Sequence, residues 1–96
     1  MTATITHSQL AGPTDEPLVL ETIGRAFDRT VEKYPDAEAL VVRHQGVRWH
    51  YKRYQREVDR FAYGLLILGI EPGERVGIWA PNCYEWCVTQ FATAKI

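Results

Sequence analysis

Cys83 and Cys87 stand four residues apart, so on a helix their thiols share one face. With His44 and His50 they supply the ligand types of a zinc site. The four spacings taken as a set match no zinc pattern, however, and small cysteines on a core helix pack as apolar residues. Cys83 also falls in the first turn of a helix, where the dipole favours a thiolate. A nucleophile further needs a positioned base and an oxyanion site, and the sequence shows neither. His50, beside Trp49 at a helix edge, reads as structural. Trp79, Tyr84 and Trp86 have the surface to line an apolar pocket, but aromatic residues at a strand–helix junction more often belong to the core. Lys52, Arg53, Arg56 and Arg60 alternate with Glu57 and Asp59, the pattern of a solvated helix face and not of a nucleic-acid patch. The glycine-bearing run from Gly69 to Gly77 lacks the Lys-Ser/Thr pair that holds phosphate and magnesium. The expectation is therefore that these residues include no catalytic, cofactor-binding or metal-ligating side chain.

The elements that position these residues are legible from periodicity and turn chemistry. Met1 to about Val19 is polar and mixed, broken by Gly12-Pro13 and Glu16-Pro17, and residues 1–20 read as a flexible leader. A short segment at Leu18-Val19-Leu20 is placed to dock on the body. Thr22 is a candidate N-cap for a helix whose apolar positions are Ile23, Ala26, Phe27, Thr30, Val31 and Tyr34, stopped at Pro35-Asp36. Gly24 inside it marks either a close approach or a frayed first turn. Ala39–Arg43 and Val47–Trp49 flank His44-Gln45-Gly46 and read as a β-hairpin with one wet face. From Tyr51 to Leu68 the apolar positions Tyr54, Val58, Phe61, Ala62, Leu65 and Leu66 step by three and four, giving an amphipathic helix about 27 Å long. His50 stands at its N-cap, where it is a poor cap.

Gly69 ends that helix, Pro72-Gly73 makes a turn, and Val76–Ala80 reads as a buried strand of a parallel sheet. Pro81 closes the strand and Asn82 caps a final helix from Cys83 to Ile96. That helix is apolar over most of its circumference, so it should want cover on more sides than the preceding residues supply. The expected fold is α/β in the order βαβα, with residues 21–96 as an incomplete part of a larger domain. The chain is expected to be cut at Ile96.

The totals exclude several classes. A net charge of −1 argues against nucleic acid or an anionic membrane as partner. No apolar run approaches the ~18 residues of a membrane span. The start carries neither a secretory apolar core nor an arginine-rich transit pattern. Two cysteines on one helix make no disulfide framework, and a cytoplasmic location is the expectation.

The order of landmarks resembles one family. Trp49-His50-Tyr51-Lys52-Arg53-Tyr54 is similar to the [Ser/Thr]-Tyr-x-x-Leu segment near the start of the adenylate-forming, AMP-binding enzymes: acyl-CoA synthetases, luciferases and the adenylation domains of peptide synthetases. Ala62-Tyr63-Gly64-Leu65-Leu66 with Leu68-Gly69-Ile70 resembles their A-x-G-L-x-x-L-G-[IV] stretch. Pro72-Gly73-Glu74-Arg75-Val76 resembles their x-G-D-R-V turn, Pro81-Asn82 with Glu85-Trp86 their P-N-x-x-[EQ]-[WF], and Tyr34–Leu40 their [FY]-P-D-x-x-A-[LV]. The likeness runs from about Glu21 to Ile96, and its texture is most like the medium- and long-chain fatty-acyl-CoA synthetases. His50, Tyr54 and Glu74 depart from the usual serine or threonine, leucine and aspartate. The family's phosphate loop, adenylate motif, ribose-binding aspartate and C-terminal lysine have no counterpart in these residues.

The resemblance implies an acid–thiol ligase that uses ATP, Mg2+ and coenzyme A to activate a carboxylate, most simply a fatty acid. These residues would form the start of its large N-terminal domain, with the rest of its own chain as partner and no activity by themselves. The competing reading is a free-standing small α/β interaction module that binds another protein through the apolar face of its last helix.

Overall fold

The computed structural model describes residues 8–96. It contains a helix α1 (Ile23–Lys33), a hairpin of β1 (Glu38–Val42) and β2 (Val47–His50), a helix α2 (Tyr51–Ile67) and a helix α3 (Tyr84–Lys95). The α/β class and the hairpin follow the sequence reading. The first seven residues of the expected leader lie outside the described residues, and residues 8–20 are exposed without helix or strand. Leu18, Val19 and Leu20 do not dock; they are 84%, 66% and 92% exposed.

Thr22 caps α1 as its residue type suggests, its hydroxyl accepting the Arg25 N–H at 3.2 Å. The buried face is Gly24, Phe27 and Val31, while Ile23 and Tyr34, expected on it, are exposed. The hairpin is antiparallel, with Leu40 opposite Trp49 and Val42 opposite Val47, and it turns through a short 3-10 segment, Arg43–Gln45. Arg48 and Glu38 pair across its wet face.

His50 corrects the expectation of a poor cap. Its Nδ1 accepts the Arg53 N–H at 3.1 Å, so an imidazole nitrogen does the work of a serine hydroxyl. Two further N–H groups of the first turn, those of Tyr51 and Lys52, donate to the carbonyls of Ala37 and Pro35 at 3.0 Å. The start of α2 is thus bonded to the segment that leads into the hairpin. At its other end Gly69 takes φ 89°, Ile70 N–H donates to Leu65 O, and Gly69 N–H donates to Leu66 O. That is a Schellman stop, and it requires the left-handed residue that glycine supplies. Pro72-Gly73 follows as a type II turn, with Gly73 at φ 92° and the Glu74 N–H donating to Glu71 O.

The expected buried parallel strand is absent. Residues 76–80 form no ladder, and Trp79 is fully exposed. The physical reason is pairing: an apolar run becomes a central strand only beside another strand, and among the described residues the sheet consists of β1 and β2. The order actually built is α1–β1–β2–α2–α3.

The core is one cluster of Phe27, Val31, Tyr54, Val58, Ala62, Val88 and Ala92, drawn from all three helices. Phe27 stacks on Phe91 with ring centroids 4.7 Å apart and meets Tyr54 edge-on at 5.2 Å. The last helix therefore finds more cover than expected, because α1 folds back onto it beside α2. Gly24 is a close approach: a Cβ there would lie 3.1 Å from Lys95 Cγ on α3. The bare apolar surface lies instead on the last turn of α2, at Tyr63, Leu66, Ile67 and Leu68, and on Trp79.

Candidate functional site

α3 carries most of the candidate residues, and its N-terminal turn meets the hairpin tip. Asn82, expected to cap this helix, lies one residue too early; the N-cap is Cys83, which makes no side-chain cap bond. The acceptor comes from across the chain. Gln45 Oε1 receives the Tyr84 N–H at 2.8 Å, and Gln45 Nε2 donates to Glu85 Oε1 at 2.9 Å. That hydrogen bond is the main cause that holds the Glu85 carboxyl below its ordinary value.

Beside this junction runs a groove of about 370 Å³ walled by Val41, Val42, Arg43 and His44 on one side and Asn82, Cys83, Trp86 and Cys87 on the other. Both thiols are free and partly buried. The groove brings His44 to the wall facing them, while His50 is elsewhere as the cap of α2. The set does not converge on an ion: among the described residues no group of three or more His, Cys, Asp or Glu does.

The three aromatic candidates separate. Trp86 lines this groove and is 40% exposed. Tyr84 packs edge-on against Trp49 at 5.1 Å and lines a second groove of about 340 Å³ between α2 and α3, with Glu57, Phe61 and Val88. Trp79 touches neither. In the basic row of α2, Arg53 Nε pairs with Glu57 at 3.1 Å and stacks over Trp49, and Arg60 also reaches Glu57. Those charges are spent within the helix face.

Two features escaped sequence reasoning. One is the Gln45 contact, since no periodicity marks a residue that caps a helix from thirty-nine positions away. The other is Lys95, whose Nζ reaches Asp28 of α1 at 2.7 Å and Asp59 of α2 at 2.5 Å with only 15% of the side chain exposed. Burial alone would lower its pKa, but the two carboxylates more than offset that and raise it. Asp28 moves the opposite way: burial raises it, and hydrogen bonds from Lys95 and Gln55 bring it below its ordinary value. Tyr54, pushed well above its ordinary value by burial, donates its hydroxyl to Cys87 O at 2.8 Å.

The run from Gly69 to Gly77 is the most glycine-bearing turn of the chain and forms no phosphate cradle at its head. The Glu71 N–H, at the head of the turn, donates to the Glu74 carboxylate at 2.7 Å. A nucleotide phosphate arriving there would meet negative charge in place of a donor. The turn offers neither that donor nor a Lys-Ser/Thr pair, so an ATP phosphate and its magnesium do not fit there.

Comparison with known proteins supplies the context. The family model described as AMP-binding enzyme matches residues 27–96. The chain is 43% identical over 88 residues to the mitochondrial medium-chain acyl-CoA ligase ACSF2 of Mus musculus, covering 92% of this chain and 14% of that protein. The Danio rerio ACSF2 is 42% identical, over 96% of this chain and 15% of the relative. The Bos taurus ACSF2 is 45% identical over 78% of this chain and 12% of the relative. The chain thus spans about one seventh of the length of the relatives it matches. These animal ligases are named mitochondrial, which overturns the cytoplasmic expectation. Cysteine usage reports redox conditions and does not identify a compartment.

Proposed function

Because this chain belongs to the family of AMP-binding enzymes, we propose that it is the opening portion of an AMP-forming acid–CoA ligase that takes a fatty acid. The observation that carries the reading is the 43% identity to a medium-chain acyl-CoA ligase across 92% of this chain. In such a ligase the carboxylate oxygen of the acid attacks the α-phosphate of ATP and pyrophosphate leaves. The thiol of coenzyme A then adds to the acyl carbonyl of the adenylate, and AMP departs as the thioester forms. The charge that shifts on the phosphates in the first step calls for positioned cations and donors.

In this reading residues 21–96 belong to the adenylation domain, led into by residues 1–20, and none of their side chains touches the phosphates, magnesium or coenzyme A. Their part is to build a rigid block. The aromatic contacts of Phe27, Tyr54 and Phe91 fix the helices, and the Lys95 pairs tie α3 to both others. Trp79 and the bare end of α2 face the rest of the ligase. Family membership favours this over a free-standing interaction module.

The test is ATP–pyrophosphate exchange by the 96-residue chain with medium- and long-chain fatty acids. Exchange at the level of buffer is expected. Exchange above buffer that survives repurification and depends on the acid would overturn the assignment of these residues to the scaffold.

A further inference from the structure

We infer that Gln45 is a latch: its side-chain amide caps α3 from the hairpin tip, and its release is the local motion that widens the groove along Cys83 and Cys87. The inference stands on the hydrogen bonds at this junction and is independent of the ligase reading.

The first N–H groups of a helix need acceptors, and α3 receives none from its own N-cap side chain. Gln45 supplies one at 2.8 Å to Tyr84 while its Nε2 binds Glu85 at 2.9 Å. Both ends of the amide are thereby used, and the orientation is forced. Turned over, the NH2 group would face an N–H and the carbonyl would face a carboxylate. Gln45 belongs to the same short turn as Arg43 and His44, which wall the groove opposite Cys83, Trp86 and Cys87. Holding Gln45 therefore holds that wall against the first turn of α3.

The latch is also the weak point of the junction. Its Gln45–Glu85 bond is exposed, and the buried residues of α3, Val88 and Ala92, lie one and two turns farther along. Local opening at solvent-exposed hydrogen bonds costs less than global unfolding. The hairpin tip can thus part from the first turn of α3 while Tyr84 stays packed on Trp49 and the three-helix core stays closed.

The experiment compares the wild-type chain with Gln45→Met, which keeps the side chain's length and removes both hydrogen bonds. Two rates are read: labelling of Cys83 and Cys87 by an aromatic disulfide reagent, and amide exchange at Tyr84. Amide exchange at Val58, fully buried on α2, reports global opening. Both local rates should rise about fivefold, the factor that a lost helix cap carries, and in both chains Tyr84 should exchange faster than Val58, because opening at the junction costs less than global unfolding. Glu85→Gln keeps an acceptor for Nε2 and should label at the wild-type rate. Wild-type labelling and Tyr84 exchange in Gln45→Met would overturn the latch, as would Tyr84 exchange no faster than Val58 exchange in the wild-type chain. Should Gln45→Met fail to fold, Glu85→Ala removes only the second bond. It should then speed labelling by a smaller factor, and no change would equally overturn the inference.

Discussion

At the scale of single residues, the account rests on groups whose partners are far away in sequence. His50 is the exception, bonding three residues on, and it shows how a departure from a pattern can keep its physics. Replacing it with alanine removes the acceptor for Arg53 N–H and should cost about 1 kcal/mol, whereas His50→Ser should restore most of the loss. Chemical denaturation of the two variants measures this. Lys95 makes a pH prediction whose sign follows from its shifts. Asp28 is held below its ordinary 3.8, so its contribution is present above that value and is lost as pH falls through the lower folded one. Lys95 is held above its ordinary 10.5, so its contribution is present below that value and is lost as pH rises through the higher folded one. The melting-temperature difference between wild type and Lys95→Met should form a plateau between these limits and shrink at both ends. A difference independent of pH would show that the lysine stem, and not the charge, matters.

At the scale of elements, what the sequence made legible was whatever is decided locally. Thr22 capped α1, Gly69 stopped α2, Pro72-Gly73 turned the chain, and the period of Tyr54, Val58, Ala62 and Leu65 placed the inner face of α2. What depends on a distant partner was read less well. Val76–Ala80 has the composition of a buried strand, but pairing is a property of two segments, and among the described residues no second one lies beside it. The greasy circumference of α3 predicted missing cover, while α1 provides it through Phe27 and the approach at Gly24. The candidate site was legible as a set of residue types and not as a geometry, since Gln45 carried no local signal. Two variants check these packing statements. Phe27→Ala, removing a ring that meets both Tyr54 and Phe91, should cost about 3–5 kcal/mol in denaturant unfolding. Trp79→Ala should change the stability of the 96-residue chain by no more than ~0.5 kcal/mol, because the indole touches water only.

At the scale of the whole molecule, three helices and a hairpin close one core and leave large apolar side chains exposed outside it. Tyr63, Leu66, Ile67 and Leu68 at the end of α2 are bare, and so is Trp79. Under the proposed reading these side chains would face the remainder of a ligase. The most direct measurement grafts residues 27–96 in place of the matching segment of the mouse acyl-CoA ligase and follows acyl-CoA formation from a medium-chain acid. The account predicts a chimera that turns over, and one that loses activity when Trp79→Ala is added, although the same change leaves the short chain's stability intact. A folded chimera without acyl-CoA formation, or one indifferent to Trp79→Ala, would contradict it.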